Sequence, residues 1–313
     1  MSNPTFSVII PAYNAEATLC TTVASVLNQS ERNIEVIIID DGSTDGTLHA
    51  MLELGCRDMR IRAVSQPNSG VSAARNYGAS LARGRYLAFL DADDQWHPNK
   101  LETHLRLHET NAATGASFAE VQFCSASRGR LAAGRSVSRV AKGMELAKHN
   151  IADVVIENPV CTTSNLVITR EAFAASGGFK NSLRYAEDQE LLARLVSRGV
   201  SIRGIDVPLV KYRMSEDGLS CDFEEMLAGW RSFASEWLEG EDLARAEATY
   251  CRYLARRALR AGAAMSTVRS YVRRGLATDR PAFMAARLRS ILTVFGAFVG
   301  GMMPAPIRRT VFA

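Results

Sequence analysis

Three aspartates fall within four positions at Asp91-Ala92-Asp93-Asp94, directly after the apolar run YLAFL at 86–90. Carboxylates crowded in this way must be solvated, paired or bound to a cation. Two more acidic pairs stand out, Asp40-Asp41 after the apolar run in EVIIIDDGSTDG and Glu187-Asp188 at a helix start in RYAEDQELL. Groups of this kind can hold a divalent cation, accept from donors on a ligand, or take the proton of a hydroxyl. A phosphorylated ligand would need a bridging metal, because carboxylates repel phosphate directly. Singly, each signal is weak. DGSTDG is common turn and cap chemistry, with Asp45 reading as a cap or turn residue, and two acids at a helix start suit capping.

The flanking segments decide whether these residues can meet. FSVIIP at 6–11, EVIII at 35–39 and YLAFL are short, nearly continuous aliphatic runs, as strands buried on both faces would be. Between them Leu19, Val23, Val26 and Leu27 recur at helical spacing, TLHAMLELG at 47–55 is helical, and GVSAARNYGASL at 70–81 predicts a helix of small residues for close packing. Strand alternating with helix argues an α/β domain whose sheet is largely parallel. Ligands bind at the carboxyl ends of such strands, where Pro11-Ala12-Tyr13-Asn14, Asp40 to Ser43 and Asp91 to Asp94 all fall. Further on, the pattern predicts a helix over 98–110, a strand over 116–124, a basic surface loop over 125–142, a strand over 164–168 and helices over 170–176 and 186–198. A last strand follows over 207–212. His104 and His108, four apart with no third ligand evident, read as a solvated helix face rather than a metal pair.

Composition narrows the class. In 313 residues, 47% are hydrophobic and 22% charged, as in a packed soluble protein. The six cysteines (20, 56, 124, 161, 221 and 251) include no CxxC pair, which suggests buried thiols in a reducing cytoplasm rather than disulfides or zinc. The N-terminal MSNPTFSVII has neither the basic region nor the apolar length of a secretory signal. No GxxxxGK[ST], GxGxxG or GxSxG run occurs, against nucleotide-triphosphate hydrolysis, nicotinamide chemistry and an α/β-hydrolase elbow. From 222 onward the pattern is helical only. Residues 243–313 hold thirteen Arg, no Lys and two acids, a charge of +11 in a chain of net +4, leaving −7 elsewhere. Such a tail suits an anionic partner: a membrane surface, a nucleic acid, or the acidic remainder of the chain. ILTVFGAFVGGMM at 291–303 is too short to span a bilayer, but could lie in its interface or dock on a partner, or equally pack on its own body.

Four blocks together, SVIIPAYNAEATLCTTVASVLNQS, EVIIIDDGSTDGT, NSGVSAARNYGASLARGRYLAFLDADDQWHPNKLE and RYAEDQELLARLVSRG, resemble glycosyltransferase family 2. The resemblance covers about residues 5–215. It implies a GT-A fold, a Rossmann-like, mostly parallel sheet flanked by helices, and an inverting enzyme using a nucleotide sugar. The expected division is a glycosyltransferase domain at 1–220, with a nucleotide-binding half (about 1–115) and an acceptor-binding half (about 116–220), then an all-helical basic extension at 221–313.

Residue by residue, the resemblance implies that Pro11 and Tyr13 lie at the nucleobase, with Tyr13 stacking, and that Asn14 belongs to the same donor-binding group. Asp41 would accept from uracil N3–H, a donor that cytosine lacks. Asp93 of the DxD motif would hold Mn²⁺ or Mg²⁺ on the donor diphosphate, with Asp91 toward the nucleoside and Asp94 toward the sugar. Asp188 would be the catalytic base. Arg75 and Asn76 match a segment near the donor and read equally well as helix packing. Two departures stand out. Met214 sits about where the family often has a histidine, so Lys211 or Arg213 would have to supply charge to the diphosphate. The QxxRW run of processive members is missing, which favours addition of one sugar.

The implied partners are a UDP-sugar and a glycan or lipid-linked oligosaccharide of bacterial surface polysaccharide synthesis, with no nucleic acid. The tail implies peripheral contact with an anionic membrane at its cytoplasmic face, or pairing into a homodimer. Two other readings share part of the pattern. An aspartyl-phosphate phosphatase also ends a strand in DxD, but expects Thr or Val where Gln95 stands. A non-catalytic sugar-nucleotide or protein-binding module would not need Asp41, Asp93 and Asp188 together.

Overall fold

The computed structural model describes residues 3–127, 130–131, 135–136, 144–146, 151–214, 222–303 and 311. Strand β1 (Phe6–Ala12) leads through α1 (Glu16–Leu27) to β2 (Ile34–Asp40), α2 (Thr47–Arg57), β3 (Ile61–Ser65), α3 (Val71–Leu81) and β4 (Tyr86–Phe89). β1, β2 and β4 are buried along their whole length, as unbroken aliphatic runs require. α1 turns Leu19, Val23 and Val26 inward as its spacing predicts. α3 lies so close to β1 that a Cβ on Gly78 would come within 2.5 Å of Ile9 Cγ2. Small residues on that helix are what permit the approach.

β5 (Gln95–Trp96), α4 (Lys100–Thr110), β6 (Thr114–Ser127), the short β7 (Arg130–Leu131) and β8 (Arg135–Ser136), α5 (Ile151–Ile156), β9 (Val167–Thr169), α6 (Arg170–Ser176), α7 (Glu187–Ser197) and β10 (Ser201–Met214) follow. The sheet order is β3-β2-β1-β4-β9-β6-β10-β5, with β7 and β8 both on β6. β3, β2, β1 and β4 are mutually parallel, the all-parallel half that alternation of strand and helix predicts. The other half is mixed: β9 runs antiparallel to β4 and β6, β10 is parallel to β6, and β5 is antiparallel to β10.

The predicted strand over 164–168 is a 3-10 turn, Thr163–Asn165, followed by the shorter β9. β10 starts six residues before its predicted position, at Ser201, and its register on β6 shifts on either side of Pro208, which has no N–H for the ladder. The predicted loop over 125–142 falls largely outside the described residues; its described parts are the end of β6 and the strands β7 and β8 that pair with it.

The sheet also builds a crevice. β1 pairs with β2 as far as Ala12↔Asp40 but with β4 only to Ile9↔Phe89. The chain runs outward from β1 to β2 and β3 on one side and returns through α3 to β4 on the other, the reversal of strand order at which open α/β sheets bind ligands.

The chain divides into two compact units, 1–149 with 159–215, and 150–158 with 216–313. In the second, α5 groups with α8 (Phe223–Ala234), α9 (Gly240–Ala261), α10 (Met265–Thr278), α11 (Arg280–Met284) and α12 (Leu288–Val299). Trp230 stacks on Tyr250 at 4.6 Å and donates to the Val155 carbonyl at 3.0 Å, which ties α5 to α8 and α9.

Candidate active site

The ends of β1 and β2 are stitched by side chains. Asn14, with φ +49°, accepts from Thr44 N at 2.8 Å, while its own N–H donates to Ser43 Oγ at 3.0 Å. Asn tolerates this left-handed conformation better than most residues. Tyr13 beside it is 54% exposed, leaving a ring face open, whereas Pro11 is buried within β1. Asp45 accepts from Thr47 N and Oγ1 and from Glu16 N, the turn and cap role read from its neighbours.

Asp41 is buried, and its acceptor sites are largely filled from within the chain. Oδ1 accepts from Gln66 Nε2 at 2.7 Å and Ser69 N at 2.8 Å, and Oδ2 from Gly70 N at 2.9 Å. It therefore orders the 66–70 loop at the entrance to α3. Gly70 has φ +88°, a conformation open to glycine but strained for other residues.

Past β4 the three aspartates separate. Asp91 is partly exposed and receives Arg75 Nη2 at 2.6 Å. Asp93 is the partly buried member in between. Asp94 is fully buried, contrary to an orientation toward a bound sugar. Its Oδ2 accepts from Ser164 Oγ at 2.6 Å and its Oδ1 from Arg213 N at 2.8 Å, so it pins the aspartate turn to β10. Ser164 Oγ also accepts from Asp91 N at 3.0 Å. Arg213 Nε donates to the Asp93 carbonyl at 2.9 Å, so this predicted cation grips the turn's backbone.

Burial and then Asp91 push the Asp93 carboxyl up to about 6, against the pull of Arg213. Burial, Asp93 and Asp91 hold Asp94 well above the ordinary carboxylate range, against its bonds from Ser164 and Arg213.

The acidic pair a hundred residues downstream is brought to the same place by Arg75. This side chain on α3 is 3% exposed, and its Nη1 meets Glu187 Oε1 at 2.7 Å while Nη2 holds Asp91. Phe179 lies under the guanidinium at 5.3 Å. Burial opposes its charge, but Asp91 and Glu187 more than offset that, holding its pKa above the usual. Glu187 is itself raised to about 7 by burial and by Asp188, despite Arg75.

Asp188 lies in the first turn of α7, where the helix dipole favours a carboxylate, and its Oδ1 accepts from Gln189 N at 2.8 Å. The preceding Ala186 has φ +59°, a strained position that aims the start of the helix. Asn76 accepts from Phe179 N at 2.9 Å and donates to the Phe179 carbonyl at 2.8 Å, the packing role rather than a free donor group.

The histidine reading is overturned. His104 and His108 are buried, and both meet Ser117 Oγ, at 2.7 and 2.9 Å. Lys100, also fully buried, reaches His104 Nε2 at 2.9 Å and donates to the Asn165 carbonyl at 3.1 Å. The turn that carries Ser164 and Asn165 is the part of the site sequence reasoning missed. Its one local signal is the polar run Thr162-Thr163-Ser164-Asn165 before an apolar strand, and all four are buried.

The profile described as Glycosyl transferase family 2 matches residues 7–174. A protein named as a teichuronic acid biosynthesis glycosyltransferase, TuaG of Bacillus subtilis, is 30% identical over 254 residues, 79% of this chain and 93% of its own. The Escherichia coli UDP-Glc:alpha-D-GlcNAc-diphosphoundecaprenol beta-1,3-glucosyltransferase WfaP is 42% identical over 105 residues, 33% of this chain and 41% of its own. Two other relatives are longer, the chain spanning 34% and 33% of their length. Among solved structures, S. aureus TarS 1-349 in complex with UDP-GlcNAc superposes with a TM-score of 0.59 at 18% identity, covering 98% of this chain and 90% of that one. That likeness establishes the GT-A-like fold, and the profile match with the TuaG identity establishes the family. The chain is a glycosyltransferase and belongs to glycosyltransferase family 2.

Proposed function

We propose that the protein moves one sugar from a UDP-sugar to a hydroxyl of a glycan or lipid-linked oligosaccharide, with inversion at the anomeric carbon, during assembly of a bacterial surface polysaccharide. The observation that carries this reading is Arg75, bonded at once to Asp91 of the DxD run and to Glu187 of the ED pair. A donor-side carboxylate cluster and a base are useful together only if they share one site. The names of TuaG and WfaP support the polysaccharide and lipid-linked acceptor, and the TarS complex supports a UDP-sugar donor.

In this reading Tyr13 stacks on the nucleobase beside Pro11 and Asn14, and Asp41 offers it the lone pair that its loop partners leave. Asp188 takes the acceptor hydroxyl's proton as attack proceeds from the face opposite the diphosphate. A one-step displacement inverts the carbon without a covalent intermediate.

The donor set suits Mn²⁺ or Mg²⁺, since Asp91 and Asp93 offer only hard oxygens. Among the described residues no three His, Cys, Asp or Glu are grouped to hold a metal alone. Asp93, with Asp91 beside it, would be the residue to hold such a cation. When bound, such a cation offsets charge developing on the leaving diphosphate.

The test is Mn²⁺-dependent UDP release across a panel of UDP-sugars, with binding followed by thermal shift. Asp93→Ala should abolish metal-dependent binding and release together. If the wild-type protein binds and turns over no UDP-sugar, the reading fails.

A further inference from the structure

α12 is packed inside out. Its buried residues are Ser290, Thr293, Gly296 and Ala297, small or polar. Four of its large apolar residues face away, Leu288 at 68% exposed, Ile291 at 56%, Phe295 at 53% and Phe298 at 66%, with Met302 just beyond at 80%, while Leu292, Val294 and Val299 are half-buried. These five fall at alternating steps of three and four, one continuous stripe. An ordinary surface helix does the reverse and buries its large apolar face.

The inner face is nonetheless a finished contact. Ser290 Oγ donates to the Phe283 carbonyl at 2.7 Å, Arg269 Nε donates to the Ala297 carbonyl at 2.9 Å, and a Cβ on Gly300 would come within 2.9 Å of Leu259 Cδ2. The helix is thus docked by its small-residue side, so the outward stripe is a surface in its own right.

The surroundings of the stripe are cationic. Arg287 and Arg289 are exposed at its start, and Arg256 on α9 donates to the Arg289 carbonyl at 3.3 Å. Arg252, Arg256 and Arg260 recur every fourth residue along α9, and burial together with Arg260, Arg289 and Arg252 brings Arg256 down to about 10. After Asp279 the sequence contains five Arg and no acidic residue.

We propose that α12 is an interfacial anchor that inserts its Leu288–Met302 stripe into an anionic phospholipid bilayer, with the exposed Arg287 and Arg289 on lipid phosphates. Its length fits lying in the interface: no helix among the described residues is long and apolar enough to cross a membrane. A second copy of the chain is the poorer occupant, because a two-fold contact through this stripe would set identical arginine-rich surfaces against each other.

The test uses the full chain with vesicles of phosphatidylglycerol and phosphatidylcholine, or phosphatidylcholine alone, in co-sedimentation without donor or acceptor. Binding to the anionic vesicles should weaken with salt and fall more than roughly tenfold for Phe295→Ser/Phe298→Ser. Arg287→Gln and Arg289→Gln should each cost about fivefold on anionic vesicles. Circular dichroism and the unfolding midpoint check that these exposed-site variants stay folded. No binding by the wild type, or equal binding by the Phe variant, overturns the proposal. So does a protein dimer in sedimentation velocity that dissociates on the same substitutions. Because no sugar nucleotide is present, failure here leaves the transfer reading standing, and failure of UDP release leaves this one standing.

Discussion

The two units break opposite rules of burial. In the first, charge goes inside: Arg75 on α3 and Asp94 in the turn after β4 are buried, with Glu187 nearly so. In the second, apolar surface goes outside, along α12. Burying a charge is unfavourable unless partners or a ligand neutralise it, and exposing a run of large apolar side chains is unfavourable unless something covers them. Neither arrangement improves the stability of an isolated chain. In the two proposals above, each is where the chain would meet something else, a sugar nucleotide in one case and a lipid surface in the other.

The largest effect should come from removing a charge that serves the reaction. Asp188→Asn is expected to lower the sugar-transfer rate by about 10²–10⁴-fold while leaving the urea midpoint nearly unchanged. A comparable loss of stability would mean that this acid belongs to the fold rather than to the chemistry.

Arg75→Met should act on both. With the guanidinium gone, Asp91 and Glu187 face each other unpaired, and unfolding should become easier by about 3–5 kcal/mol. Arg75→Lys should not restore full stability, since one ammonium cannot reproduce the fork that meets two carboxylates. Urea unfolding of the three proteins decides this. Equal stability of wild type and Arg75→Met would break the claim that buried charge in this unit depends on its partners.

A smaller, pH-dependent effect should arise at His108. Burial holds it down to about 4 from its ordinary 6.5, helped by Arg85 and opposed by the Thr114 carbonyl. A depressed pKa means stability that is complete above pH 6.5 and lost as pH falls through about 4, on the order of 3 kcal/mol. Glu187, raised to about 7, and Asp93, raised to about 6, carry the opposite sign, their contributions shrinking as pH rises through those values. The wild-type profile mixes both. The difference between wild type and His108→Gln, taken by urea unfolding between pH 8 and 4, should isolate the histidine and narrow as pH falls.

The smallest effect should be at α12. Phe298→Ser is expected to change unfolding by less than about 0.5 kcal/mol, whereas Phe283→Ala, fully buried against Gly275, should cost about 3–5 kcal/mol. If Phe298→Ser destabilised as much as Phe283→Ala, the stripe would be core, and the contrast between the units would collapse.

Much of the first unit was legible from local pattern. Strand runs, helix faces such as Leu19, Val23 and Val26, the turn at Asp45, the strand-end positions of Asp40-Asp41 and Asp91 to Asp94, and the helix-start position of Glu187-Asp188 depend on neighbours a few residues away. Periodicity and turn chemistry record these directly. Small residues in GVSAARNYGASL likewise announced a close helix packing that Gly78 bears out.

Other features had no such record. Asp94 reads like its neighbours until Ser164 and Arg213, 70 and 119 residues away, claim its oxygens. His104 and His108 look like a solvated pair until Ser117 and the buried Lys100 enclose them. For α12, composition showed an apolar segment but not which face the body would take.

By itself, then, the sequence determined the strand and helix order through β4, the family and the acids available to do chemistry. The tertiary structure alone decided which acid is structural, which arginine joins the two motifs, and that α12 docks by its small side. The physical reason is range. Helix, strand and turn preferences are set by contacts within a few residues, whereas the pairing of a buried charge depends on the sheet order that brings distant segments together.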